Sequence, residues 1–136
     1  MRVLAIDHGT VRMGIALSDE LKMIAQPLEF IPAEPYSGFL DRLKELLGEY
    51  NVELILLGMP RNMDGSYGEA SMKVREFAAV LKNSITVPIK TWDERLTSVQ
   101  ANRALSYGRV KKKKKRQNVD AMSAAILLQS YLDSLA

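Results

Sequence analysis

Four apolar residues, Val3-Leu4-Ala5-Ile6, run without a break into Asp7, and this one segment restricts the fold more than any other. It is short, continuous and partly β-branched, so it reads as a strand buried on both faces. Such a strand lies in the middle of a sheet, and Asp7 therefore leaves the core at the end of a rigid support. Gly9-Thr10 permits the tight reversal of a hairpin. A second apolar stretch returns through Met13, Ile15 and Leu17, with Gly14 inside it, where a missing side chain marks a bulge or a close neighbour. The product is a carboxylate held at a sheet edge with backbone amides, Thr10 and Arg12 nearby, as metal and phosphate chemistry requires. The plainer alternative is that Asp7 closes an Asx-turn around Gly9.

Met23 to Pro32 reads as a third, less regular strand, with Pro27 and Pro32 near an edge or at strand ends. Three strands in succession make an antiparallel meander. Between Ser37 and Tyr50 the period changes. Phe39, Leu40, Leu43, Leu46 and Leu47 recur at helical spacing, and Gly48 and Asn51 lie where that helix should end. Val52 to Met59 is another nearly continuous apolar strand, and a right-handed crossover sets it parallel to the first and beside it. A polar, turn-rich loop runs from Pro60 to Gly68. A second helix spans about Glu69 to Lys82, and a fifth strand, Thr86 to Trp92, ends in Asp93-Glu94-Arg95. Thr97 or Ser98 can cap a third helix through Leu105, and Asn118 a last one with Ala121, Ala125, Leu128 and Leu132 in one stripe. The order predicts an α/β fold in a single domain over residues 1–136. Its five-stranded mixed sheet combines a three-strand antiparallel meander with two parallel strands, dressed by about four helices.

The net charge of +3 is unevenly spread. Arg109, Lys111, Lys112, Lys113, Lys114, Lys115 and Arg116 place seven positive charges in eight positions, and without them 12 basic residues face 16 acidic ones. One segment facing a polyanion, on a mildly acidic body, accounts for this better than a solvated loop. Cysteine is absent, which excludes disulfides and thiolate metal sites. No stretch approaches the ~20 apolar residues of a membrane span, and the first residues lack the apolar length of a signal peptide. A cytoplasmic protein without membrane attachment is the expectation.

Sites in open α/β sheets form beyond the carboxyl ends of the parallel strands. Three strands end in polar sequence there: at Asp7, at Pro60-Arg61-Asn62 and at Asp93-Glu94-Arg95. If the strands are neighbours these ends share one rim, and Asp120 in the first turn of the last helix can fold back onto it. Asp7, Glu94 (or Asp93) and Asp120 then form a carboxylate cluster, which needs a cation to ionise fully. Magnesium or manganese suits oxygen ligands and phosphate substrates, and two ions can serve a phosphodiester. Arg12, Arg61 and Arg95 are placed to take phosphate oxygens, and the lysine run to hold the backbone beyond the cut. Each piece also has an ordinary reading: Asp120 as a helix-start residue, Asp93-Glu94-Arg95 as a charged loop, His8 as a lone histidine without a partner.

Four motifs in order carry a family resemblance over essentially the whole length. They are Ala5-Ile6-Asp7-His8-Gly9-Thr10-Val11-Arg12-Met13-Gly14-Ile15-Ala16, Gly58-Met59-Pro60-Arg61-Asn62-Met63-Asp64-Gly65-Ser66, Trp92-Asp93-Glu94-Arg95-Leu96-Thr97-Ser98 and Val119-Asp120-Ala121-Met122-Ser123-Ala124-Ala125-Ile126-Leu127-Leu128. Together they resemble the YqgF/RuvX family of the RNase H-like superfamily. The resemblance implies a metal-dependent nuclease with Asp7, Glu94 and Asp120 as the acidic triad. It implies either maturation of the 5′ end of the small-subunit (16S) ribosomal RNA precursor or resolution of Holliday junctions. RNA processing is the favoured role, because resolvases act as dimers and the sequence displays no dimer interface; a monomer or weak homodimer is expected. The basic loop departs from the family in its purity in lysine.

Two rival readings have their own sequence support. The Asp7-His8-Gly9-Thr10 turn also resembles the phosphate-binding turn of actin-like and sugar kinases, which need two such lobes where this chain has room for one. A non-catalytic nucleic-acid-binding factor in ribosome assembly or transcription would use the lysine run, but retained clustered acids would weaken its hold on a polyanion.

Overall fold

The computed structural model describes residues 1–60, 68–94 and 119–135. Among them, β1 (Arg2–Asp7), β2 (Arg12–Ser18), β3 (Ala25–Pro32), β4 (Val52–Met59) and β5 (Ile89–Asp93) form one sheet in the order β3-β2-β1-β4-β5. The first three strands are antiparallel neighbours, while β4 runs parallel to β1 and β5 parallel to β4. Three helices lie among the described residues: α1 (Tyr36–Glu49), α2 (Glu69–Ser84) and α3 (Val119–Ser134). The architecture is the expected mixed sheet. The helix expected from Thr97 or Ser98 to Leu105 lies outside the described residues.

Side-chain alternation along the central strands divides the core in two. On one face Leu4, Ile6, Ile55 and Leu57 pack with Phe39, Leu43 and Leu46 of α1 and Val74, Phe77 and Leu81 of α2. On the other, Val3, Ala5 and Leu56 pack with Ala124, Ala125, Leu127, Leu128 and Leu132 of α3. Both faces of β1 and β4 are therefore covered, which is why these strands read as unbroken apolar runs rather than alternating ones. α1 closes at Tyr50, and Asn51 takes the left-handed conformation (φ 53°) that ends the helix and starts β4.

Polar contacts fix α3 across the sheet. Gln129 accepts a hydrogen bond from the Ala25 amide (2.9 Å) and donates to the Met23 carbonyl (3.0 Å) at the β3 side. On the β5 side the Trp92 indole N–H donates to Ser130 Oγ (3.2 Å), and its ring meets Tyr131 edge-on at 5.2 Å. The same region explains why β3 begins at Ala25 rather than Met23. Asp19 Oδ1 captures the Met23 and Ile24 amides at 2.8 and 3.0 Å, so neither amide is left for a strand ladder.

Leu57 is fully buried at the centre of the larger core. Leu57→Ala should cost about 2–5 kcal/mol, read as a lower urea midpoint with an unchanged m-value.

Candidate active site

β1, β4 and β5 end side by side because Ile6 pairs with Leu57, and Gly58 in turn with Trp92. Alternation then decides which face each terminal residue serves. Asp7 continues the Val3–Ala5 series on the α3 face, Gly58 continues Leu54 and Leu56, and Glu94 follows Trp92. Asp93 falls on the opposite face of β5. Register thus separates the two acids that the sequence leaves equivalent, and it is Glu94 that meets Asp7.

The two carboxyl groups hydrogen-bond to each other, although a whole strand, roughly 9–10 Å of sheet width, lies between β1 and β5. Gly58 makes this possible. A Cβ there would stand 2.7 Å from Glu94 Oε1 and 3.0 Å from Leu127 Cδ2, so the missing side chain is the space the Glu94 carboxyl occupies. Burial pushes the Glu94 pKa up, the Asp7 hydrogen bond opposes that rise, and the Asp93 charge adds to it. A hydrogen bond between two carboxyls requires a proton on one of them. Two carboxylates this close repel each other, and a cation between them relieves that repulsion.

The β1–β2 turn supplies the other wall. A Cβ on Gly9 would lie 2.2 Å from the Arg12 carbonyl oxygen, so only glycine fits this reversal. Gly14 is the cross-strand partner of Asp7, and the register irregularity of β2 with β3 comes one step later, between Ile15 and Ala16. A cleft of about 420 Å³ opens at the rim, with Asp7, Thr10, Pro60, Glu69, Lys73 and Glu94 among its lining. His8 also lines it, with its ring 5.1 Å from that of Phe77. Burial, and then the Lys73 charge, lower the His8 pKa from its ordinary value.

Of the other residues expected at the site, Thr10 lines the cleft, and the Arg12 guanidinium stands 5.1 Å from the centre of the Phe30 ring. Arg61, Arg95, Lys111, Lys112, Lys113, Lys114, Lys115 and Arg116 lie outside the described residues, as does the side chain of Asp120. The backbone of α3 passes Trp92 at Ser130 and reaches Gly58 with Leu127. Its first turn, which contains Asp120, therefore continues toward the rim where β1, β4 and β5 end. Among the described residues no three Asp, Glu or His side chains group as a metal site. Two participants escape sequence reading. Gly58 looks like one more small residue in an apolar run, and Lys73 is one of several charges on the outer side of α2.

A mixed five-stranded sheet in the order β3-β2-β1-β4-β5, three strands antiparallel and two parallel, with helices on both faces, is the RNase H-like fold. The RuvC of Thermus thermophilus, solved in complex with Holliday junction substrate, aligns over 99% of this chain and 95% of that one (TM-score 0.57, 19% identity). Fowlpox virus resolvase, solved with Holliday junction DNA, aligns over 99% of both chains (TM-score 0.56, 13% identity). At those identities the likeness establishes the fold. The family model RuvX, described as Holliday junction resolvase, matches residues 1–134. A Desulforamulus reducens protein named "Putative pre-16S rRNA nuclease" is 44% identical over 134 residues, 98% of each chain. The chain belongs to the RuvX family and is a nuclease, a hydrolase of phosphodiester bonds. Membership of this resolvase and nuclease family implies a divalent-metal requirement in general.

Gly58→Ala should drive the Glu94 carboxyl off Asp7 and lower activity while the chain still folds, at a cost of about 1–3 kcal/mol from the crowding of Leu127. Thermal melting and a crystal structure of the variant check both parts.

Because folding raises the Glu94 pKa, the folded state holds this proton more tightly than the unfolded chain does. The resulting stability is complete below the ordinary glutamate value of 4.5 and is lost as pH rises through the folded-state value. Glu94→Gln cannot ionise, so in chelator it should melt higher than wild type at pH 7, and the gap should close below pH 4.5.

Proposed function

We propose that this chain is a metal-dependent nuclease maturing the 5′ end of the small-subunit (16S) ribosomal RNA precursor in the cytoplasm, its residues 1–136 acting as one RNase H-like domain. The observation that carries the reading is the meeting of the Asp7 and Glu94 carboxyl groups over Gly58. The donor set suits a hard divalent cation, because Mg²⁺ or Mn²⁺ between two half-buried carboxyl groups offsets the repulsion of their charges. Asp7 and Glu94 would hold the metal with Asp120, and the placement of Asp93 on the other face of β5 favours Glu94 as the ligand. When bound, two such ions would supply charge neutralisation at the phosphate and Lewis-acid activation of the attacking water.

The chain's own groups do the positioning. Thr10 and Arg12 at the hairpin, with Arg61 and Arg95, take phosphate oxygens and set the scissile bond against the acids. Lys111, Lys112, Lys113, Lys114, Lys115 and Arg116 hold the nucleic-acid backbone beyond the cut through counterion release. The names of the relatives support precursor ribosomal RNA as the substrate. The family description supports a second reading, Holliday junction resolution. Symmetric cutting of a junction requires two active sites and hence a dimer, whereas precursor trimming is served by a monomer or weak homodimer.

A cleavage assay with Mg²⁺ or Mn²⁺ decides between them, using a four-way DNA junction and an RNA carrying the precursor's 5′ extension. RNA cut by wild type and not by Asp7→Asn supports the processing reading. Symmetric junction cutting replaces it with the resolvase reading, and binding of both without cleavage removes the enzyme reading of the site. Asp7→Asn should lower cleavage by roughly a thousandfold, the several kcal/mol that metal-held charge stabilisation is worth, and EDTA should do the same to wild type. Neutralising Lys111 to Lys115 should weaken binding and flatten its salt dependence by about 0.7–0.9 log units for each phosphate no longer neutralised.

A further inference from the structure

A second cavity, about 650 Å³, lies on the other side of the β1–β2 turn from the acids. It shares His8, Gly9, Thr10 and Lys73 with the acidic cleft, so the two are continuous around the turn. Its remaining wall comes from Ala33 to Tyr36, leading into α1, and from Glu76 on α2. Tyr36 and His8 both rest on the fully buried Phe77, with ring centroids at 6.0 and 5.1 Å. Tyr36 is nevertheless 45% exposed at the cavity wall, so a fixed aromatic ring is offered to the cavity.

The charges lining the cavity say what fits. Among the described residues, two carboxylates, Glu34 and Glu76, and the ammonium of Lys73 line it. This described lining is net negative and disfavours phosphate, while carboxylate oxygens accept hydrogen bonds from the N–H groups of a base edge. Lys73 stands on the side shared with the cleft, where a phosphodiester would pass. An aromatic ring, acidic acceptors and a cation at the entrance match one nucleotide: ring against base, carboxylates on its edge, ammonium on its phosphate. A base still paired in a duplex has its Watson–Crick edge occupied and its faces stacked on its neighbours, so it cannot lie on the ring.

We propose that this cavity is a subsite for an unpaired, amino-bearing nucleobase next to the scissile phosphate, with Tyr36 as its stacking platform and Lys73 linking it to the acidic cleft. This rests on the nuclease reading of the site and adds that the substrate is single-stranded on one side of the cut.

Fluorescence anisotropy of a labelled ten-nucleotide single-stranded RNA, on the Asp7→Asn background so that the strand survives, tests the subsite by binding alone. The RNA is compared with its blunt duplex and with versions abasic at each position in turn. The single strand should bind more tightly than the duplex. One abasic position should cost roughly 5- to 150-fold, the range of a base–aromatic stack. Tyr36→Ala should lose a similar factor on the intact strand and show no further abasic penalty, whereas Tyr36→Phe should bind as the parent does. Unchanged binding by Tyr36→Ala, equal abasic penalties with and without the ring, or tighter binding of the duplex would each overturn the proposal. Cleavage by Asp7→Asn would instead count against the nuclease reading of the acids, and the binding comparison would still stand.

Discussion

Two carboxyl groups held against each other in a partly buried site are an unfavourable arrangement, and much of this fold serves to enforce it. The Asp7–Glu94 contact spans a strand, so neither side chain reaches it by flexibility alone. β1 and β5 must keep their register on β4, and β4 must carry no side chain at position 58. β4 is held by Ile55 and Leu57 on one face and Leu56 on the other, all fully buried. Slippage by one residue would carry Asp7 or Glu94 to the opposite face and replace Gly58 with a leucine or a methionine. Packing far from the rim thus fixes the chemistry at it.

The raised pKa of Glu94 has a thermodynamic counterpart. At neutral pH the folded chain is less stable than it would be with a neutral group there, and the scaffold must offset that cost. The offset comes from a helix tied down at both sides of the sheet. Gln129 holds α3 to the start of β3 and Ser130 holds it to Trp92 of β5, while Leu127 closes over Gly58 and Glu94. A cation bound between the carboxyls would return part of that stability, so metal binding and folding are linked through the same two side chains.

The central strands are legible in the sequence because burial on both faces leaves an unbroken apolar run, and α1 and α2 because their apolar residues recur at helical spacing. The meeting of Asp7 with an acid from the end of β5 follows from strand order. Which acid does not follow, because Asp93 and Glu94 differ only in the face they serve, and face depends on a register set by backbone pairing with β4. Gly58 and Lys73 are hidden for related reasons. A glycine in a strand announces closeness without naming the neighbour, and a lysine flanking a helix stripe looks the same whether it meets solvent or a cleft. The start of β3 departs from the expected Met23 because one side chain, Asp19, captures two amides that the apolar pattern assigns to a ladder.

The end of β1 shows how strand geometry can divide a rim into two compartments. Consecutive residues of a strand serve opposite faces, so Asp7 goes to the side covered by α3 and His8 to the side covered by α2, where it meets Phe77. Asp7 meets Glu94 on the first side, while Tyr36 and His8 rest on Phe77 on the second, with the turn that Gly9 allows between them. A cation site and a base-stacking site have opposed requirements, one needing exposed negative oxygen and the other a flat apolar surface. Under the proposed reading, the two faces of one strand end hold the metal-binding acids and the stacking ring in adjoining compartments. Lys73, which lines both cavities, is the group through which a phosphodiester would be shared between them.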